Sequence, residues 1–117
     1  MIVVATDAPL DAKTLRRVAA RAIFALARTG STYSNGSGDF AIAFSTARPA
    51  ADPPSPIQQR PVIHTDAVSG LFEATLDATE EAVYNSLLKA TDTTGNGRTV
   101  PALPVDRLKG LLEKFGR

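Results

Sequence analysis

A chain of 117 residues fits one compact domain, residues 1–117, whose folding would bury about two-thirds of the surface exposed by the unfolded chain. With 44% hydrophobic residues and a net charge of +1 from 13 basic and 12 acidic side chains, it is not a disordered tail, and no global charge pulls it toward nucleic acid or anionic membrane. Cysteine is absent and His64 is the single histidine, which excludes disulfides, thiolate zinc sites and multi-histidine metal centres; no cofactor is implied.

Met1 to Thr6 is a continuous apolar run ending in Thr6-Asp7-Ala8-Pro9, the pattern of a strand buried on both faces. No positive region or long apolar stretch leads to a small-residue cleavage site, so the start does not read as a signal peptide, and a cytoplasmic protein without membrane association is expected. A core strand normally follows an earlier element that covers it, so the expectation is that something upstream of Met1 is missing. Asp11 is placed to cap a helix over Ala12 to Arg28, in which Leu15, Val18, Ala19, Ala22, Ile23 and Leu26 recur at spacings of three and four. Gly30 supplies a stop.

Thr29 to Asp39 is a small polar stretch with three glycines, too irregular for either period, and reads as a loop. Phe40 to Thr46 alternates bulky and small residues and predicts a strand with Phe40, Ile42 and Phe44 on one face. Five of the eight prolines fall between Pro49 and Pro61, so residues 47–64 form an exposed, extended connection. Ala67 to Thr91, with Phe72, Leu76, Val83 and Leu87, describes a long amphipathic helix that should pack on the strands. Thr93 to Gly97 is a turn cluster, Pro101 and Pro104 keep the next segment extended, and Leu108, Leu111, Leu112 and Phe115 make a short terminal helix closed by Gly116. Two strands are expected, few for an independent sheet.

Three stretches invite chemistry. Gly36 and Gly38 leave room for a ligand to approach the backbone and Ser37, although the helix-loop-strand order and the lack of a following lysine exclude a P-loop. The same loop also fits a plain helix-to-strand connector. Lys13, Arg17, Arg21 and Arg28 on one side of the first helix could meet phosphates, but without interleaved aromatics a solvated face is favoured over nucleic-acid binding. Glu73, Asp77, Glu80 and Glu81 likewise read as a solvated face, since no histidine joins them at metal-ligand spacing. His64 has no serine or acid at a triad spacing and is given a local structural role.

Taken in order, Val3-Val4-Ala5-Thr6-Asp7-Ala8-Pro9-Leu10, Leu26-Ala27-Arg28-Thr29-Gly30-Ser31, Ser34-Asn35-Gly36-Ser37-Gly38-Asp39 and Ala43-Phe44-Ser45-Thr46 resemble the DmpA-type aminopeptidases, which include β-peptidyl aminopeptidases. Ala78-Thr79-Glu80-Glu81-Ala82, Thr99-Val100-Pro101-Ala102-Leu103-Pro104 and Asp106-Arg107-Leu108 look like the end of the same proteins. A related acetyltransferase group uses a threonine nucleophile, but the Asn35 to Asp39 run fits the aminopeptidases better. The resemblance implies a mixed α/β chain that forms the β-chain part of an αββα sandwich like that of N-terminal-nucleophile hydrolases. It further implies a precursor that cuts itself ahead of a serine, which becomes nucleophile and α-amine base together. Ser37 matches the second active-site serine, and Asp39 the acidic residue two positions on; Asn35, Gly36 and Gly38 shape the loop. The nucleophile should fall just upstream of Met1, so this chain by itself should be silent. The implied partners are the α-chain portion of the same precursor, a small peptide or aminoacyl amide substrate, and further copies in a homo-oligomer of paired chains. The rival reading is a non-catalytic binding or assembly module that retains the half-fold.

Overall fold

A parallel pair of strands joined by a helix organises the N-terminal part of the chain. The computed structural model describes residues 1–47, 56–57 and 60–116, so most of the proline-rich connection lies outside the described residues. These group into two compact units, Met1–Glu80 and Glu81–Arg117.

In the first unit, β1 (Ile2–Thr6) runs parallel to β2 (Ala41–Ser45) with Ile2 opposite Ala41, Val4 opposite Ala43 and Thr6 opposite Ser45. Parallel neighbours require a crossover, which α1 (Ala12–Ala25) provides. The Asp11 carboxylate accepts from the Thr14 N–H at 2.7 Å, making the expected N-cap. Hydrogen bonds from Thr14, side chain then backbone, hold that carboxyl below its ordinary pKa. The α-helix ends earlier than the periodicity predicts: the chain tightens into a 3₁₀ turn over Leu26–Thr29, and Gly30 takes a left-handed φ of 91° that closes it.

Val18, Ala22 and Ala25 of α1 are fully buried, with Val68 and Phe72 the other buried apolar residues among those described. Val4, Leu10, Ala43, Ile63 and Leu71 pack around Val18, Val68 and Phe72. The expectation that β1 is buried on both faces is not met within this chain. Both strands alternate half-buried and exposed residues, so the small side chains Ala41, Ala43 and Ser45 turn to the covered face. Their size lets α1 approach closely. Phe40, Ile42 and Phe44 share the other face, as the alternation predicts, and that face is bare: Phe40 is 67% exposed and Val3 61%.

The long helix α2 spans Ser69–Leu88, entered through a 3₁₀ turn at Thr65–Ala67 that His64 caps through its Nδ1, the local role expected of it. Its buried line is not the expected Phe72, Leu76, Val83 and Leu87. Only Phe72 of these is buried, followed at helical spacing by Thr75 and Thr79. Thr75 can be buried because its hydroxyl donates back to the Leu71 carbonyl at 2.7 Å.

The arginine face of α1 is also more than a solvated surface. Arg17 and Arg21 lie over the Phe72 ring at 4.8 and 4.6 Å, and Arg28 Nη1 pairs with Asp77 at 2.6 Å and Glu80 at 3.5 Å. These groups form the seam between α1 with its 3₁₀ extension and the first half of α2. The Asp77 hydrogen bond, first, and the two acids' charges raise the Arg28 pKa.

In the second unit, the turn cluster proves to be a two-residue hairpin. β3 (Thr93–Gly95) and β4 (Arg98–Val100) pair antiparallel around Asn96 and Gly97, whose φ values of 49° and 71° are those of a type I′ turn. The Thr94 and Thr99 hydroxyls hydrogen-bond across it at 2.9 Å. The terminal helix α3 (Val105–Lys114) follows Pro104 and ends before a left-handed Gly116, as expected. Among the described residues no helix is long and apolar enough to cross a membrane.

Candidate active site

Residues 31–40 connect the end of α1 to β2 and are exposed throughout. The Ser37 N–H donates to the Ser34 carbonyl at 3.0 Å, closing a turn with Asn35 and Gly36 at its corner. Gly36 has a φ of 95°, a conformation in which a Cβ is strained even though nothing would lie within 4 Å of it. Gly38 differs. Its φ lies outside the left-handed range, and an added Cβ would meet Phe40 Cε2 at an ordinary 3.5 Å, so the backbone requires a glycine at 36 and not at 38.

Beyond the turn, the Ser37 hydroxyl donates to Asp39 Oδ2 at 3.0 Å. A bond to a carboxylate is stronger than one between neutral groups, and it fixes a rotor that would otherwise be free. The pair sits at a defined place on the sheet. The Ile2 N–H donates to the Phe40 carbonyl at 2.8 Å, ahead of the Ile2–Ala41 register position, so Asp39 lies one residue before the ladder at the edge where β1 begins. Ser37, Asp39 and the leading end of β1, far apart in sequence, therefore share one end of the parallel pair.

Tyr33 belongs to this loop and was not singled out by sequence reasoning. Its φ is 48°, left-handed for an aromatic residue, and its hydroxyl donates to the Ile23 carbonyl in the last turn of α1. The signal available was its place as the single aromatic side chain in the glycine- and serine-rich stretch.

The opposite end of the same sheet carries a cavity of about 550 Å³ lined by Leu10, Asp11, Leu15, Phe44 and Ser45 among others. Two of its polar groups are committed internally: Asp11 caps α1, and the Ser45 hydroxyl donates to the Ala8 carbonyl at 2.6 Å. Of the acids considered above, Asp77 and Glu80 hold Arg28, and the described residues contain no cluster of three or more histidines, cysteines or acids able to hold a metal ion.

The matches to known proteins take in this strand-helix-strand unit and run along nearly the whole chain. Residues 1–100 match the model of peptidase family S58, and the chain belongs to that family. It is 40% identical over 119 aligned positions to the β-peptidyl aminopeptidase BapA of Sphingosinicella microcystinivorans, covering all of this chain and 30% of that protein. The L-aminopeptidase D-Ala-esterase/amidase of Ochrobactrum anthropi, described as a prototype of the serine aminopeptidases and a variant of the Ntn hydrolase fold, superposes with a TM-score of 0.82 at 36% identity. That match covers 99% of this chain and 34% of the other. The PH0078 protein of Pyrococcus horikoshii OT3 superposes with a TM-score of 0.85 at 43% identity, over 99% of this chain and 33% of its own. The chain thus spans about a third of the length of these relatives. The expected DmpA-type membership and mixed α/β, Ntn-type fold class are borne out.

Proposed function

We propose that these residues form the β-chain portion of a self-processing serine aminopeptidase that removes N-terminal residues from peptides, amides or esters through an acyl-enzyme. The observation that carries this reading is the parallel register, which sets the Ser37–Asp39 pair beside the start of β1. A serine exposed by cleavage just ahead of Met1 would continue β1 toward that pair. Its hydroxyl is a weak nucleophile at neutral pH, but its own α-amine, with an ordinary pKa near about 8, is partly neutral there and can take the proton. Ser37 then supports the nucleophile by hydrogen bonding. Asp39 orients Ser37 and offers a carboxylate to the free ammonium group of the substrate, a charge-assisted contact that selects amino-terminal residues.

The bare face of Val3, Phe40, Ile42 and Phe44 supports the remaining partners in the same reading. One layer of helix covers the sheet from one side, and an apolar face of this kind calls for a second layer, supplied by the α-chain portion of the same precursor. The paired chains in turn gather into a homo-oligomer. The names of the relatives support a substrate with a free amine, an α- or β-aminoacyl peptide, amide or ester.

The test is the full-length reading frame carrying these residues. It should cleave itself ahead of a serine preceding Met1 and hydrolyse aminoacyl amides. Ser37→Ala should lower kcat at least about tenfold, a smaller loss than the roughly 10²–10⁴-fold contributed by a group that itself transfers the proton, with the melting temperature unchanged. Asp39→Asn should erase the preference for free over blocked amines. Near-normal turnover in Ser37→Ala, or equal effects of Asp39→Asn on both substrate types, would refute these roles.

A further inference from the structure

The loop bearing Ser37 and Asp39 contributes no buried side chain, so its shape must be held by tethers rather than by packing. At its far end the tether is the ladder bond from the Ile2 N–H to the Phe40 carbonyl. At its near end, among the described hydrogen bonds of residues 31–40, the one made by a side chain to another element runs from the Tyr33 hydroxyl to the Ile23 carbonyl. The Ile23 carbonyl also accepts from the backbone N–H of Leu26, and the phenol adds a second hydrogen bond to an oxygen that the end of α1 holds at a fixed place. The Tyr33 backbone is meanwhile held at a φ of 48°, and the Ser31 hydroxyl oxygen accepts from its N–H at 3.4 Å. A bulky residue stays in the left-handed region only where its surroundings over-determine it, and such residues cluster at functional sites.

We propose that Tyr33 is a positioning residue for the Ser37–Asp39 pair: its phenol pins the start of the loop to the end of α1 while the Ile2–Phe40 bond pins the finish. The turn at Ser34 to Ser37 and the serine–carboxylate bond then have one arrangement relative to the start of β1. This inference rests on the aminopeptidase reading above. The phenol touches no reacting atom in it and acts through the loop.

The test uses the full-length chain and hydrolysis of an aminoacyl p-nitroanilide. Tyr33→Phe removes one oxygen from a ring that is 42% exposed, so no cavity opens and folding is retained. It should lower kcat by about tenfold, KM changing less, because misplacing a catalytic group by a fraction of its reach acts on the transition state. Tyr33→Asn accepts the left-handed backbone readily but cannot reach Ile23, and it should be as slow as Tyr33→Phe. Melting temperatures, read in parallel, should stay close to wild type in both. A kcat within threefold of wild type in either variant overturns the inference, as does a fall in kcat matched by an equal fall in folded protein. An inactive wild-type chain overturns the aminopeptidase reading and this inference together, whereas an active wild type with unaffected variants sinks only the role of Tyr33.

Discussion

Phe72 offers a measurement of how the helical layer is held on the sheet, because two different interactions meet on one ring. Its side chain is 9% exposed and packs on Val18 and Val68, while Arg17 and Arg21 stand over the ring at 4.8 and 4.6 Å. Truncation of a core phenylalanine to alanine costs about 3–5 kcal/mol, and each cation–π contact adds about 0.5–1 kcal/mol at a partly exposed site. Phe72→Ala should therefore destabilise the full-length chain by about 4 kcal/mol or more, a large share of a stability of roughly 5–15 kcal/mol. Phe72→Leu keeps most of the apolar contact and loses the π face, so about 2 kcal/mol is expected, half of it from the arginines. In an Arg17→Met, Arg21→Met background the leucine penalty should shrink by about 1 kcal/mol, a coupling that a double-mutant cycle reads directly. Urea unfolding followed by circular dichroism gives each value from the midpoint at constant slope. If Phe72→Leu is as harmful without the arginines as with them, the rings and guanidiniums are merely adjacent. If Phe72→Ala costs under about 1 kcal/mol, the residue is not part of the core.

Two further expectations concern local structure. Because the Asp11 carboxyl has a lowered pKa in the folded chain, its cap contributes stability above the ordinary carboxylate value of 3.8 and loses it as pH falls through the lowered value. Asp11→Asn, which caps without titrating, should show a shallower acid-side loss of melting temperature than wild type; parallel curves would mean that Asp11 does not carry this acid dependence. Gly36→Ala meets no atom within 4 Å, so its penalty is the left-handed backbone alone, about 1 kcal/mol. It should reduce turnover by more than it lowers the melting temperature, and unchanged kinetics would show that the Ser34–Ser37 turn does not set the site.

The strand-helix-strand order was legible because each element announces itself locally: an apolar run ending before Pro9, a 3.6-residue stripe after Asp11, a Gly30 stop, and alternation from Phe40. What sequence periodicity misjudged was which face meets which neighbour. In α2 the buried line runs through Thr75 and Thr79, residues ranked as polar, and the Thr75 hydroxyl is satisfied by a carbonyl one turn back. In α1 and its 3₁₀ extension the arginines counted as solvated turn to Phe72, Asp77 and Glu80, partners more than forty residues away that no local pattern reveals. The hairpin at Asn96-Gly97 was within reach, since that dipeptide is the strongest short hairpin signal, but the flanking Thr-rich segments lack the alternation that usually accompanies it. At the site, Ser37 and Asp39 were named from resemblance, and their hydrogen bond follows from a spacing of two across a loop. Tyr33 was overlooked because its role depends on a carbonyl ten residues back and on a backbone angle, neither of which is written in composition.

The crossover itself explains why the proposed nucleophile and the pair proposed to support it can be so distant in sequence. In a parallel unit both strands start at the same edge, so whatever precedes β1 and whatever precedes β2 are neighbours by construction. The lengths matter as well. The 14 residues of α1 and the 4 of its 3₁₀ extension rise roughly 21 and 8 Å, against roughly 17 Å for a strand of 5 residues. A helix that overshoots its strand by roughly 10 Å delivers the chain beyond the edge, and the loop must fold back across it to enter β2. Ser37 and Asp39 lie on the last part of that return path, where the Ile2–Phe40 bond holds the chain at the start of β1. Deleting one helical turn from α1 would draw the near end of the loop back by roughly 5 Å while the Ile2–Phe40 bond keeps Asp39 at the edge, so the strain would fall on residues 31–36 and on the turn that presents Ser37.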